Sequence, residues 1–256
     1  VIFRSEASGH GEDTTIVLWS DHGLHLGDKE RWQKASLWEQ VASVPFIVVD
    51  PDHGAPGSTV TTAVSLGDIF PTLADLVGLA PPDHVEGRSL VRLLDDPASG
   101  GDGAAFTWMY GSIAVRHADY RYIRYEDGSE ELYQLSIDPY QFENLVASGG
   151  HAEQLQSLRK LVDDYIANLV NDVQIGQTGA LAGDGRDSVY FLAGDATVHE
   201  EPDGGYDTIY FGGAGGVMPA HVEAGYMKRT SWGGEIVGNA EDNRIIGSLN
   251  ADRLDG

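Results

Sequence analysis

Thr15 to Trp19, TIVLW, is an unbroken run of β-branched and apolar residues, and Ser20-Asp21-His22-Gly23 follows it with no spacer. A short run without alternation is the pattern of a central parallel strand covered on both faces, so a buried strand is predicted over 15–19. Ligands of open α/β sheets bind at the carboxyl ends of strands, and there Asp21 and His22 place a carboxylate beside an imidazole, a donor pair suited to a cation. The same two residues also read as a turn cap, Asp21 accepting backbone N–H bonds and His22 filling a gap. Gly23 lets the backbone turn sharply. A second apolar run, PFIVV over 45–49, reads as the next buried strand.

Downstream the periodicity changes. Leu66, Ile69, Phe70, Leu73, Leu76 and Val77 recur at helical spacing, which predicts a helix with its apolar stripe against the sheet, Pro71 in its first turn and Gly78 as its cap. Arg88-Ser89-Leu90 opens another short helix through Leu94, stopped by Pro97. Residues 104–135 alternate and are rich in aromatics, with Asp127-Gly128 as a turn, the pattern of an antiparallel sheet. Leu155, Leu158, Leu161, Val162, Tyr165, Ile166 and Leu169 predict an amphipathic helix of about six turns packed on that sheet. Residues 174–186 are small and polar, a linker, and beyond them Gly and Asp dominate. The domains read as 1–103, 104–175 and 176–256.

The 256 residues carry 40 Asp and Glu against 16 Lys and Arg, a formal net charge of −24, which excludes nucleic acid and anionic membrane surfaces as partners. No stretch has the apolar length of a membrane span. The acidity fits a secreted or calcium-loaded protein, as it fits many ordinary soluble ones.

Ser20-Asp21-His22-Gly23, Leu26-Gly27-Asp28-Lys29, Trp32-Gln33-Lys34, Leu37-Trp38-Glu39 and Val44-Pro45-Phe46, in this order, resemble one half of the sulfatase family, of the alkaline-phosphatase-like superfamily, and most of all its iduronate-2-sulfatase-like members. Gly87-Arg88-Ser89-Leu90 matches the family's G-x-S-L. Asp138-Pro139 with Glu143-Asn144-Leu145 resembles the segment closing its carboxyl-terminal subdomain, with Glu143 displaced. The resemblance implies an α/β fold: a partial mixed or parallel sheet with flanking helices, a small antiparallel sheet with a helix, then a Gly/Asp-rich all-β tail.

It further implies that Asp21 and His22 ligate an active-site calcium or magnesium and that Lys34 grips the sulfate. An imidazole is unusual on calcium, whose ligands are normally oxygens. Lys34 also reads as a lysine snorkelling beside Trp32. Trp32, His25 and Lys29, on the same loop, are placed at the substrate-pocket rim, a position that solvent exposure explains equally well for the latter two. The family's nucleophile is a formylglycine made from C-x-P-x-R or S-x-P-x-R. This chain has no cysteine and neither motif, and no counterpart of the family's Asp pair precedes Asp21. The expectation is a piece of a longer protein, inactive alone.

In the tail, Gly238, Gly247 and Gly256 are nine residues apart, and Asn243 and Asp252 share one phase. This resembles the nonapeptide of haemolysin-type (RTX) calcium-binding β-rolls and implies tail calcium on Asp242, Asn243 and Asp252, with a glycine-rich β-domain of chance spacing as the alternative. The expectation is a secreted bacterial enzyme, by type I secretion if the roll is real, acting on a sulfated small molecule or glycan. A phosphonate or phosphodiester hydrolase of the same superfamily and a non-catalytic calcium-binding module are the alternatives.

Overall fold

The computed structural model describes residues 9–82, 85–101, 103–169, 172–176, 179–183, 187–192, 196–202, 205–227, 234–248 and 252–255. Two compact units divide the chain: 1–107, 114–123 and 131–155 form the first, and 108–113, 124–130 and 156–256 the second.

In the first unit, β1 (Ile16–Trp19) pairs with β2 (Phe46–Val49), Ile16 opposite Val49 and Trp19 opposite Phe46, as an antiparallel two-stranded sheet. This corrects the expectation of a buried parallel strand: Leu18 and Trp19 are about half exposed, and so is Ile47. An apolar run reports only that a strand has two apolar faces, and neither strand has a second neighbour among the described residues. Between them lies a short helix α1 (Glu39–Ala42), and beyond them α2 (Ile69–Leu76) and α3 (Val91–Asp95).

Ser65 and Asp68 form a capping box ahead of α2. Pro71 lies in its first turn and Gly78 follows in the left-handed conformation, as predicted. Its apolar stripe does not meet a sheet, however: Phe70, Leu73 and Val77 are exposed, whereas Pro71 and Thr72 are buried. The buried side is polar in its attachments, with Thr72 Oγ1 accepting from the Leu90 amide (2.9 Å) and Asp68 from the Arg88 amide (2.9 Å). Gly87 is needed for close approach, because a Cβ there would collide with the Gly67 carbonyl.

Strands β3 (Ala104–Met109), β4 (Ser112–His117), β5 (Tyr120–Arg124) and β6 (Glu130–Gln134) form a four-stranded sheet in chain order, contributing residues to both units. Two-residue connections at Tyr110-Gly111 and Ala118-Asp119 make these hairpins, with positive φ at Tyr110, Gly111 and Ala118. Gly128 carries the predicted third turn. Helix α4 (Ala152–Ala167) has 16 residues, about four and a half turns rather than six, because Asn168 and Leu169 close it with turns. Leu155, Leu158 and Val162 are its buried residues at helical spacing.

From Asp172 every described element is a strand: β7 (Asp172–Gly176), β8 (Ala180–Ala182), β9 (Ser188–Leu192), β10 (Thr197–His199), β11 (Thr208–Phe211), β12 (Gly215–Val217), β13 (Ala224–Met227), β14 (Glu235–Val237), β15 (Arg244–Ile246) and β16 (Arg253–Asp255). One parallel sheet runs β15-β13-β11-β9-β7. The alternate strands pair in parallel as β12-β14-β16 and β8-β10. This is a β-solenoid. Asp172 pairs with Ser188, Val189 with Thr208, Thr208 with Ala224 and Ala224 with Arg244, so one coil takes about 16 to 20 residues and holds two strands. The expected linker over 174–186 is corrected where it is described, since β7 and β8 occupy it.

The solenoid interior holds Tyr190, Ile209, Phe211, Met218, Val222, Met227 and Ile236. Its outer face carries stacked rings, Phe191 on Tyr210 and Tyr210 on Tyr226, each 4.9 Å apart.

Candidate active site

Gly23 fixes the loop after β1. Its amide donates to the Val41 carbonyl (2.7 Å), and a Cβ at this position would collide with the Gln40 carbonyl. Its φ is not positive, so close approach to α1, rather than the predicted sharp turn, is what requires glycine. The α1 segment is held in turn by Arg121, a buried guanidinium that donates through Nε to the Leu37 carbonyl (2.6 Å) and through Nη1 to Glu39 (3.1 Å). Gln141 Oε1 accepts from the Glu39 amide (2.6 Å).

On this support Asp21, His22 and Lys34 come together. His22 Nδ1 lies 2.8 Å from the Gly23 carbonyl and must donate to it, which leaves the Nε2 lone pair free to accept. Nε2 sits 2.8 Å from Lys34 Nζ and 3.3 Å from Asp21 Oδ2. The Asp21 carboxylate is exposed and accepts from the His22 amide. An outward imidazole lone pair beside an exposed carboxylate fits two positions of a cation site, and among the described residues no third His, Cys, Asp or Glu completes a cluster.

The other loop residues divide. Trp32 is 75% exposed. His25 is wholly buried, which corrects its placement on an exposed rim: Nε2 is 2.7 Å from Ser36 Oγ, the ring lies edge-on to Trp38, and burial lowers its pKa. Lys29 is also turned away from open solvent. Its ammonium sits 4.4 Å from the Trp38 ring centroid and 4.9 Å from that of Tyr133, and it donates to Tyr133 Oη (3.3 Å). Burial pulls its pKa down, opposed by the charges of Glu131 and Asp138.

In the solenoid the nine-residue phase marks turn positions. Asn243 accepts from the Asn239 amide (2.7 Å), and Asp252 accepts from the amides of Gly234 (3.0 Å) and Ser248, so both oxygens close turns. Asp242 is exposed. Sequence reasoning missed a ladder at the entry to successive coils: Asp187, Asp207, Glu223 and Asn243 each immediately precede a strand of the larger sheet. Asp207 is 1% exposed, accepts from the Ser188 amide (2.8 Å), and donates its own amide to Glu223 (2.6 Å). Its Oδ2 has no hydrogen-bond partner among the described residues. Burial, reinforced by the charges of Glu200 and Glu223, raises its pKa to about 6. Buried Glu200 accepts from Tyr190 Oη. The recurrence of an acid or amide before each apolar strand was the available signal, obscured by the unequal coil lengths.

Comparison with known proteins places these geometries. Residues 3–79 match the sulfatase family model. A sulfatase of Formosa agariphila is 36% identical over 157 residues, covering 60% of this chain and 31% of its own, and an ulvan-active sulfatase of the same organism is 32% identical, covering 56% and 30%. The crystal structure of a phosphonate monoester hydrolase of Agrobacterium radiobacter is similar with a TM-score of 0.56 at 29% identity, covering 64% of this chain and 37% of that one. The chain thus spans about a third of the length of the curated relatives it matches. Residues 3–79, the stretch that matches the sulfatase family model, hold Asp21, His22 and Lys34.

Proposed function

We propose that this chain holds the carboxyl-terminal part of a metal-dependent hydrolase of sulfate esters, with Asp21 and His22 as cation ligands and Lys34 as the sulfate-binding ammonium. The observation that carries this is the convergence of the three side chains on His22 Nε2, within a segment matching the sulfatase model. A bound calcium or magnesium would supply a Lewis acid for the ester's oxygens. The chain's own residues orient the site: the Gly23 carbonyl fixes the imidazole tautomer, and Lys34 brings a positive charge to where negative charge grows on the leaving oxygen. A cation on His22 Nε2 would take the place Lys34 Nζ holds there at 2.8 Å, leaving the ammonium to bind the sulfate. The nucleophile lies outside this chain, which carries neither formylglycine motif. Calcium binding by 176–256 and export from the cell complete this reading, and rest on composition and the nine-residue spacing.

Phosphonate monoester hydrolysis is the second reading, favoured by the similarity to the Agrobacterium enzyme. The test is to assay the full-length protein on a sulfate ester and a phosphonate monoester side by side, with calcium, magnesium or a chelator. Asp21→Ala is expected to abolish turnover and weaken metal binding, and Lys34→Ala to lower turnover by about 100- to 1,000-fold. Folded variants with wild-type rates would refute the site.

A further inference from the structure

The two halves of the candidate site are anchored separately. Asp21 and His22 are tied to α1 through the Gly23 amide on the Val41 carbonyl (2.7 Å), and the Ser20 hydroxyl closes the same turn on the His22 carbonyl (2.9 Å). Lys34 sits in a stretch of neither helix nor strand, and both flanks of that stretch are fastened to one residue, His25. On one side the His25 amide donates to the Gln33 carbonyl (3.2 Å), and on the other the imidazole Nε2 lies 2.7 Å from Ser36 Oγ. The ring is wholly buried and edge-on to Trp38, with centroids 5.7 Å apart, and Trp38 is itself fixed by its indole N–H on Glu131 (2.7 Å). Burial disfavours the charged ring, and Nδ1 has no hydrogen-bond partner among the described residues. Placing the single proton on Nε2, where it donates to Ser36 Oγ, strands only a lone pair at Nδ1 rather than an N–H.

We propose that His25 is a positioning residue for Lys34: it clasps residues 33 and 36 and so sets where the sulfate-binding ammonium stands, independently of the cation ligands. The proposal rests on the sulfatase reading. A leucine or methionine would fill the space against Trp38 and leave no buried nitrogen unmet, so packing alone does not call for histidine. What an aliphatic chain lacks is the N–H that reaches Ser36. The need for a clasp follows from the ammonium itself. Lys34 is exposed, and a flexible four-carbon stem defines a position only as well as its backbone is held. Misplacing a group of the reacting site by about 1 Å can cost about 100-fold in rate, and the Lys34 ammonium has to stay within reach of the position it takes 2.8 Å from His22 Nε2.

The test compares wild type with Ser36→Ala, which removes the acceptor and leaves the ring in place, His25→Leu, which fills the space without the bond, and His25→Gln, whose amide N–H restores a donor. The full-length protein is measured for kcat/KM on a sulfate ester, Kd for inorganic sulfate and Kd for calcium. In Ser36→Ala and His25→Leu, kcat/KM is expected to fall about 10-fold and the sulfate Kd to rise by a similar factor, with the calcium Kd unchanged, and His25→Gln is expected to recover most of the loss. Should His25→Leu fail to fold, Ser36→Ala, the loss of one part-exposed hydroxyl, carries the comparison. Equal losses of sulfate and calcium affinity would mark His25 as general support for the loop and overturn the proposal, as would wild-type sulfate affinity in folded Ser36→Ala. Failure of the sulfatase reading looks different: wild type would neither hydrolyse the ester nor bind sulfate, or Lys34→Ala would leave both unchanged, and the positioning role would fall with it.

Discussion

Replacing Asp207 by asparagine tests the electrostatics of the solenoid. The carboxyl is 1% exposed, its Oδ2 is unpartnered among the described residues, and Glu200 and Glu223 add like charge. Its folded pKa of about 6 stands above the ordinary 3.8. Between those values the folded state keeps a proton that the unfolded state has lost, so stability falls as pH rises from 3.8 to 6 and stays low above it. A difference of roughly two pKa units corresponds to about 3 kcal/mol. Asparagine is neutral throughout, so it sets no charge against Glu200 and Glu223. Asp207→Asn is therefore expected to be more stable than wild type above about pH 6, by up to about 3 kcal/mol, and to lose that share of the pH dependence. The assay is urea unfolding of the 256-residue chain followed by circular dichroism across this pH range. Because other groups titrate too, the informative quantity is the difference between the two proteins. If wild type and Asp207→Asn showed the same pH dependence, the buried-charge argument would be wrong.

Two further substitutions probe the support of the candidate site. Gly23→Ala places a Cβ against the Gln40 carbonyl and is expected to destabilise by about 1–3 kcal/mol, and to weaken metal binding by the full-length protein by displacing Asp21 and His22. Unchanged metal affinity would separate the loop from α1. Arg121→Ala removes a buried guanidinium from the Leu37 carbonyl and from Glu39, and is expected to cost about 3–5 kcal/mol in denaturant unfolding. A loss below about 1 kcal/mol would show that this pair does not hold α1 in place.

Some features were determined by local sequence alone. The turn at Gly128, Pro71 in the first turn of α2, Gly78 just past its end, and α3 behind Leu90 all follow from turn and cap chemistry that a few adjacent residues settle. Asp21, His22 and Lys34, which the motif order from Ser20 to Phe46 singled out, lie close together in the structure.

What only the tertiary structure decided depends on partners distant in the chain. TIVLW has the composition of a buried strand, but burial is set by what covers it, and its one described neighbour is antiparallel. Histidine and lysine on one loop read alike in sequence. His25 goes inside and Lys29 between two rings because Ser36, Trp38 and Tyr133 are waiting there, one of them 104 residues away. The nine-residue spacing of the tail, read as a calcium-binding repeat, does not set the coil, which takes about 16 to 20 residues and is fixed by which strands stack in parallel. Nor does spacing decide which polar side chains are enclosed: Asn243 and Asp252 turn to nearby amides, whereas Asp207 is enclosed because the coils before and after it stack in parallel.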